Sequence, residues 1–511
     1  MTVAVRVLDI AAVGLGLLGA MIVVTGGVAL GRLDLTRPED VLVALAAVVG
    51  ARALVRPLPL PSLRPTHVVL GSALVYVIAM SFIVVTRHVA LRTHALDLGQ
   101  YLQIIWNIAA GRGAWTTLPP VHAWGEHLSL VFYLLVPLQW LAPGAVVLLV
   151  AQTLILASGA LAVFGYAGRR LDGPAAAGFA LLYLVNPSLH GINLRDIHPA
   201  AFVIPLILWA ALASDTGRYA WCAIALIGVF ACREDAAVAV VGFGVWLAVV
   251  RRRWWLGALV AVASVLVLAM EIRYVMPYFR GAEYPHLHRY THIGRGLGEI
   301  LANLVIAPWL WLGVVVTAKK LVYLITLLAP LGFLPLLGGG VLVAVLPGLS
   351  MNLLSVDQVL FRYRSQYQSF VLPFLVLAAV DGYARLRAWA GERRLFGRFS
   401  PTAALVFAVL ASVVLTARTV NDLSVARWRL GPDQQAAYTL MGRVPPRAPV
   451  AANERLVPHL ATRPEVYVFP GSVERSEFVL ARESDLARQP LTAYVEIGRA
   501  GAWRLLRRAA R

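Results

Sequence analysis

Long apolar runs separated by short basic loops dominate the chain, with Leu8–Leu30, Val68–Val85, Val146–Tyr166 and Leu256–Met270 the clearest. Runs of about 20 apolar residues cross a hydrocarbon layer as helices, because lipid offers the backbone no other partner. The pattern predicts about thirteen membrane helices. They lie near 8–30, 40–55, 67–87, 145–167, 175–189, 199–213, 219–232, 236–250, 256–276, 321–336, 338–350, 368–384 and 402–418. After about residue 420 the pattern changes. Short alternations at Pro449–Asn453, Glu465–Phe469 and Glu477–Leu480 read as strands, and Asn453 is placed to cap a helix through Leu460. The expected fold is therefore an all-α polytopic membrane protein carrying a small C-terminal α/β domain. Its expected divisions are 1–66, an N-terminal helix pair; 67–420, a transmembrane core with interfacial helices and outer loops; and 421–511, the α/β domain.

Composition closes off a soluble enzyme. Of 511 residues, 59% are hydrophobic and 14% charged, and mean hydropathy is +0.75, whereas soluble domains carry about 25% charged residues. The net charge of +19 suggests nucleic acid until its distribution is followed. The arginines cluster in short loops: Arg52, Arg56 and Arg64; Arg169 and Arg170; Arg251, Arg252 and Arg253; Arg385, Arg387, Arg393 and Arg394. Cytoplasmic loops of membrane proteins are basic in this way, and no basic stripe with interleaved aromatics points to nucleic acid. Cys222 and Cys232 lie in or beside apolar sequence and imply neither a disulfide framework nor a zinc cluster. The first run lacks a small-residue cleavage site and reads as a retained helix.

Placing the arginine loops on the inner side of the membrane makes the N-terminus cytoplasmic and the C-terminal domain extracytoplasmic. This parity requires Leu128–Leu141 and Asn303–Val316 to be interfacial helices, and it leaves Lys319 and Lys320 outside. It also brings the segments richest in chemistry, 88–127, 186–198, 233–235, 277–303 and 351–368, to the outer face.

In His94-Ala-Leu-Asp97-Leu-Gly99-Gln100, a carboxylate stands where a spanning helix gives way to an amphipathic one bearing Gln100, Gln103 and Asn107 on one face. Asp97 there could take a proton from a hydroxyl as general base; with Gln100 it also matches a capping box. His122, Glu126 and His127 follow at a spacing that matches no strong metal motif. In Asn193-Leu-Arg195-Asp196-Ile-His198-Pro199, His198 is placed as an N-cap, yet ionisable groups at a membrane surface are costly to bury idle. Arg233-Glu234-Asp235 interrupts apolar sequence; Glu234 and Asp235 are expected as ligands of a divalent cation such as Mg or Mn, or as partners of an arginine. Tyr278, Arg280, Tyr284, His286, His288, Arg289, Tyr290 and His292 crowd one loop, with aromatic faces for sugar and basic groups for phosphate. Arg362 and Arg364 suit phosphate, although arginines at headgroup depth also snorkel without function. No nucleotide-binding loop or nucleophile elbow is present.

Taken in order, Asp97-Leu-Gly99 with Gln103 and Trp106, His127-Leu-Ser129, Gln152, His198-Pro199 and Glu234-Asp235 resemble a family of bacterial membrane proteins of unknown function. The tail Val450-Ala-Ala-Asn453-Glu-Arg-Leu-Val-Pro-His459-Leu, with Arg463 and Val466-Tyr-Val-Phe, is similar to it too, so the resemblance runs from about residue 90 onward. Departures are Ser129-Leu130 in place of serine-proline and Arg233 in place of lysine. Through that family the chain resembles the GT-C superfamily of membrane glycosyltransferases. The resemblance implies a polyprenyl-phosphate-linked sugar donor and an extracytoplasmic glycan, lipid or protein acceptor. It implies Asp97 as the base, once the two leading helices are treated as an addition. Gln100, Gln103, His127, Arg195, His198, Arg233, Tyr284, His288, Arg362 and Arg364 are the expected substrate-binding residues. The rival readings are a lipid or polysaccharide flippase, whose ionisable groups would sit on broken helices at the midplane, and a non-catalytic membrane scaffold. A single site demands that Asp97 and the Glu234–Asp235 turn lie on one membrane face.

Overall fold

The computed structural model describes residues 3–30, 33–56, 63–392 and 401–509; Arg393 and Arg394 lie outside the described residues. Among the described residues, five helices are long and apolar enough to cross a membrane: Val3–Thr25, Pro65–Val89, Ala145–Ala167, Gly173–Leu194 and Trp254–Arg280. Shorter apolar helices, among them Pro199–Asp215, Tyr219–Cys232 and Pro401–Ala417, pack with them. The helical bundle is thus observed, while the figure of about thirteen spans stays a sequence expectation.

Several expected helices are broken for local reasons. The segment expected as one interfacial helix is a pair, Leu297–Ile306 and Trp309–Val315, bent by 89°, because Pro308 at the junction donates no N–H. The expected helix 321–336 ends at Leu328, where Pro330 and the left-handed Gly332 (φ 63°) stop it. Leu128–Leu141 does contain a helix, Val131–Leu141.

The arginine loops meet at one end of the bundle. Asp215 accepts from Arg169 (2.8 Å), Arg170 (3.0 Å) and Arg251 (2.8 Å). Arg170 also pairs with Asp381 (2.7 Å), and Arg387 with Asp172 (2.6 Å). The loops around Asp97, His198 and Glu234 are joined to the opposite helix ends, so this chemistry and these arginines lie at opposite ends of the bundle. Of the two lysines that the parity leaves outside, Lys319 is exposed and Lys320 is buried, its ammonium donating to the carbonyls of Val314 (2.8 Å), Leu353 (2.6 Å) and Ser355 (3.0 Å). It is held by local helix-end carbonyls and carries no topological information.

The three strands expected in the tail occur as Val450–Ala452, Val466–Val468 and Phe478–Arg482. The first is parallel to both others. A hairpin, Tyr494–Ala500 with Trp503–Arg508, extends the sheet antiparallel to Phe478–Arg482. Its basic residues Arg499, Arg504, Arg507 and Arg508 hide the alternation on which strand prediction depends. Asn453 does not cap the helix through Leu460: its side-chain oxygen accepts the Arg455 N–H (3.1 Å) in a local turn, and the helix starts at Val457.

The tail domain packs onto the membrane core. The Tyr438 hydroxyl donates to the Val89 carbonyl (2.9 Å), the His88 and His459 rings stack 4.0 Å apart, and apolar residues of both parts form one continuous core.

Candidate active site

Asp97 lies in a single π turn, Ala95–Gly99, in which the Gly99 N–H reaches back to the His94 carbonyl (3.2 Å). Such turns insert one extra residue into a helical path and recur at functional sites. The capping-box alternative does not hold: the following helix, Gln100–Ala109, begins without a side-chain cap. Among the described residues the Asp97 carboxylate forms no hydrogen bond, and its side chain is 30% exposed. Its near neighbour is His198, whose Nδ1 is 3.9 Å from Oδ1.

Two clamps hold this turn. On the bundle side, Asp196 accepts from both the backbone N–H of His94 and its Nδ1 (3.0 Å each). On the tail side, Val457 leaves a Cβ at Gly99 only 3.1 Å from its Cγ1, and Arg455 reaches His94 Nε2 (2.7 Å).

The Arg233-Glu234-Asp235 turn is brought to the same end, against three other loops. Arg233, 2% exposed, grips Asp235 with two bonds (2.6 and 2.5 Å) and lies over the rings of Tyr367 and Phe370 at 5.0 and 5.6 Å. Glu234 accepts from His127 Nδ1 (2.9 Å), the Leu128 N–H (3.2 Å) and the Tyr284 hydroxyl (3.1 Å). His286 stacks on His127, with centroids 4.7 Å apart. Burial, aided by Arg233, holds His127 down to about 3; burial, aided by His127, holds His286 down to about 3. Both imidazoles therefore keep a free lone pair at neutral pH. One ligand atom each from His127, Glu234 and His286 lies within 4.8 Å of the others.

Tyr101 ties the two halves together. Its buried ring meets His198 edge-on at 6.2 Å, and its hydroxyl feels the charges of Asp97, Arg233 and Glu234. A cavity of about 800 Å³ opens beside Tyr284, with a mainly apolar lining that includes Leu287, Leu297 and Leu301, and with Arg273, Glu283 and Arg295 on its wall.

Residues 87–491 match the family model described as Predicted membrane protein (DUF2079). The chain belongs to that family. No curated protein sequence matches it. Among solved structures, the DUF2079 chain is similar to ArnT from Cupriavidus metallidurans bound to undecaprenyl phosphate, at TM-score 0.49 and 14% identity, covering 85% of this chain and 97% of that one. It is also similar to the apo form of the same protein, at TM-score 0.47 and 15% identity, with the same coverage.

Not every residue expected at the site of this DUF2079 protein gathers there. Gln103 is fully buried and engaged by Thr116, Thr117 and the carbonyls of Arg463 and Pro464; it fastens the tail domain. Gln100 is buried on the same helix. Arg195 is half-buried at a helix end, within electrostatic reach of His198. His288 is turned onto the Pro285 carbonyl (2.7 Å), and Glu126 pairs with Arg280 (2.6 Å). Arg362 is exposed and Arg364 half-buried. The arginine facing the cluster from the crowded loop is Arg289, 5.2 Å from the Tyr367 ring centroid and 3.3 Å from Asp357.

Asp235 is taken up by Arg233, so the set that could hold a metal is His127, Glu234 and His286 rather than Glu234 with Asp235. Glu271 is a further buried acid in a second π turn, Glu271–Val275, with an unpartnered Oε2 and within electrostatic reach of Glu234 and Asp235. The signal for it in the sequence is a lone acid inside the apolar stretch 254–280.

The loop carrying Arg364 lies directly on Gly191, where an added Cβ would come within 2.6 Å of the Arg364 Cα. Gly191→Ala should therefore destabilise the protein by about 1–3 kcal/mol. A thermal melt of the purified chain, compared with that of Gly178→Ala, where nothing stands within 4 Å, checks this.

Proposed function

We propose that the protein is a membrane glycosyltransferase that moves a sugar from a polyprenyl-phosphate donor to a glycan, lipid or protein acceptor at the extracytoplasmic face. The observation that carries the proposal is Asp97, a partly exposed carboxylate without a hydrogen bond among the described residues, at the junction of a spanning helix and an amphipathic one. A structural carboxylate at such a place is normally satisfied by a cap or an ion pair. Here the neighbouring groups are organised around it instead. A lipid phosphate keeps its tail in the bilayer and its head at the interface, and the apolar cavity with Arg273 and Arg295 suits both parts. Asp97 removes the acceptor's proton, while Arg289, which faces the cluster, offers charge to the departing phosphate.

The donor set of the nearby cluster fits a divalent cation. His127, Glu234 and His286 would hold it, and two imidazoles with one carboxylate favour zinc-like ions over Mg or Mn. Bound there, such an ion supplies positive charge for phosphate oxygens. The full chain, purified in detergent and equilibrated with zinc, should retain about one ion per chain, and His286→Ala should lose it. Elemental analysis after desalting decides; equal zinc in both forms counts against the assignment.

The transferase reading is tested by reconstituting the full chain in vesicles with a panel of polyprenyl-phosphate sugars and candidate acceptors. Release of free polyprenyl phosphate coupled to a glycosylated product is expected. Transbilayer movement of the donor with its glycosidic bond intact would favour a flippase.

A further inference from the structure

His198 is 1% exposed, yet neither of its ring nitrogens has a hydrogen-bond partner. Leaving a buried polar group unpaired costs about 1–3 kcal/mol, and the protein holds this one in place deliberately. The His198 backbone N–H donates to Gln152 Oε1 (2.8 Å), and the Gln152 amide donates to the Asp196 carbonyl (2.8 Å). Asp196 itself adopts a left-handed φ of 68°, an uncommon conformation outside glycine that aims the following residues. Tyr101 closes the ring's edge. What remains open in front of Nδ1 is Asp97, at 3.9 Å.

We propose that Asp97 and the buried imidazole of His198 act as one coupled pair, with Asp97 the base that meets the acceptor and His198 a positioning residue that tunes it through space. The step rests on the transferase reading. The acceptor O–H bond breaks and its proton passes to Asp97. The acceptor oxygen bonds the anomeric carbon, and the bond from that carbon to the phosphate oxygen breaks, its electrons leaving on the polyprenyl phosphate. Asp97 then returns the proton to water. The charged groups around His198 are Asp97, Asp196, Arg195 and Arg233, with Tyr101 alongside. Burial pushes the imidazole below its ordinary range, Asp97 and Asp196 pull it back up, and Arg195 and Arg233 oppose them.

The test needs no substrate. A water-soluble carbodiimide with an amine labels the protonated form of a carboxyl, and Asp97 is exposed enough to react. In the full chain in nanodiscs, peptide mass spectrometry follows Asp97 labelling as pH falls. In His198→Gln the carboxylate titrates alone, and the labelling midpoint should rise by about one pH unit. An unchanged or lower midpoint overturns the pair. Should His198→Gln fail to fold, the reciprocal measurement decides: in Asp97→Asn the His198 ring, followed by carbon-13 histidine NMR, should protonate at lower pH than in the wild type, and an unchanged midpoint overturns the pair. A shifted midpoint in a protein that transfers no sugar would sink the transferase reading and leave the pair standing.

Discussion

Asp97→Asn should lower glycosyl transfer about 10³-fold, within the range expected for loss of a general base, while donor binding changes little. The substitution keeps the shape of the side chain and removes only its charge and basicity. Because Asp97 forms no hydrogen bond among the described residues, the exchange disrupts no cap and no ladder, and the melting temperature should stay near that of the wild type. Turnover and donor affinity, measured separately in vesicles, decide the matter. A drop in both together would mark Asp97 as a binding group. Unchanged turnover would remove it from the chemistry altogether.

The second large effect concerns stability. Arg233→Ala should cost about 3–5 kcal/mol, since removing one partner strands the other as an uncompensated buried charge. Arg233 is 2% exposed, bonded twice to Asp235 and stacked over two aromatic rings, so charge and packing are lost together. Arg233→Met combined with Asp235→Leu removes both charges at similar volume and should recover a large part of that loss. Thermal melts of the single and double variants separate the two contributions. If the single variant melts with the wild type, the pair is not structural and Asp235 is free for another role. Recovery of stability without recovery of transfer would place the turn in the catalytic machinery.

The parts of the site legible in the sequence were those with local signatures. Asp97 at the end of an apolar run, the Arg233-Glu234-Asp235 interruption and the His198-Pro199 step are visible because lipid makes any polar residue in such sequence conspicuous. The crowded loop was visible too, but not which of its members turn inward: His286 and Arg289 face the cluster while His288 does not. That depends on partners distant in the chain, since His127 meets Glu234 107 positions away. Gln103 shows the same limit from the other direction. Its helical face suggested a substrate contact, but the tail domain, 360 positions on, takes its amide. Glu271 is marked in the sequence only as a lone acid in an apolar stretch; its place near the cluster follows from a π turn, which shifts a residue around the helix.

By itself the chain's pattern determined that this is a helical membrane protein with an appended α/β domain, and it placed the arginine loops opposite the chemistry. Those conclusions rest on transfer energies and periodicity, which act residue by residue and are written in the order of the sequence. Only the tertiary structure decided that Asp97 faces His198, that Asp235 belongs to Arg233, and that two histidines from separate loops converge on Glu234. Side-chain chemistry of that kind operates over about 3–4 Å, and at that range neighbours are chosen by the packing of whole helices rather than by nearness along the chain.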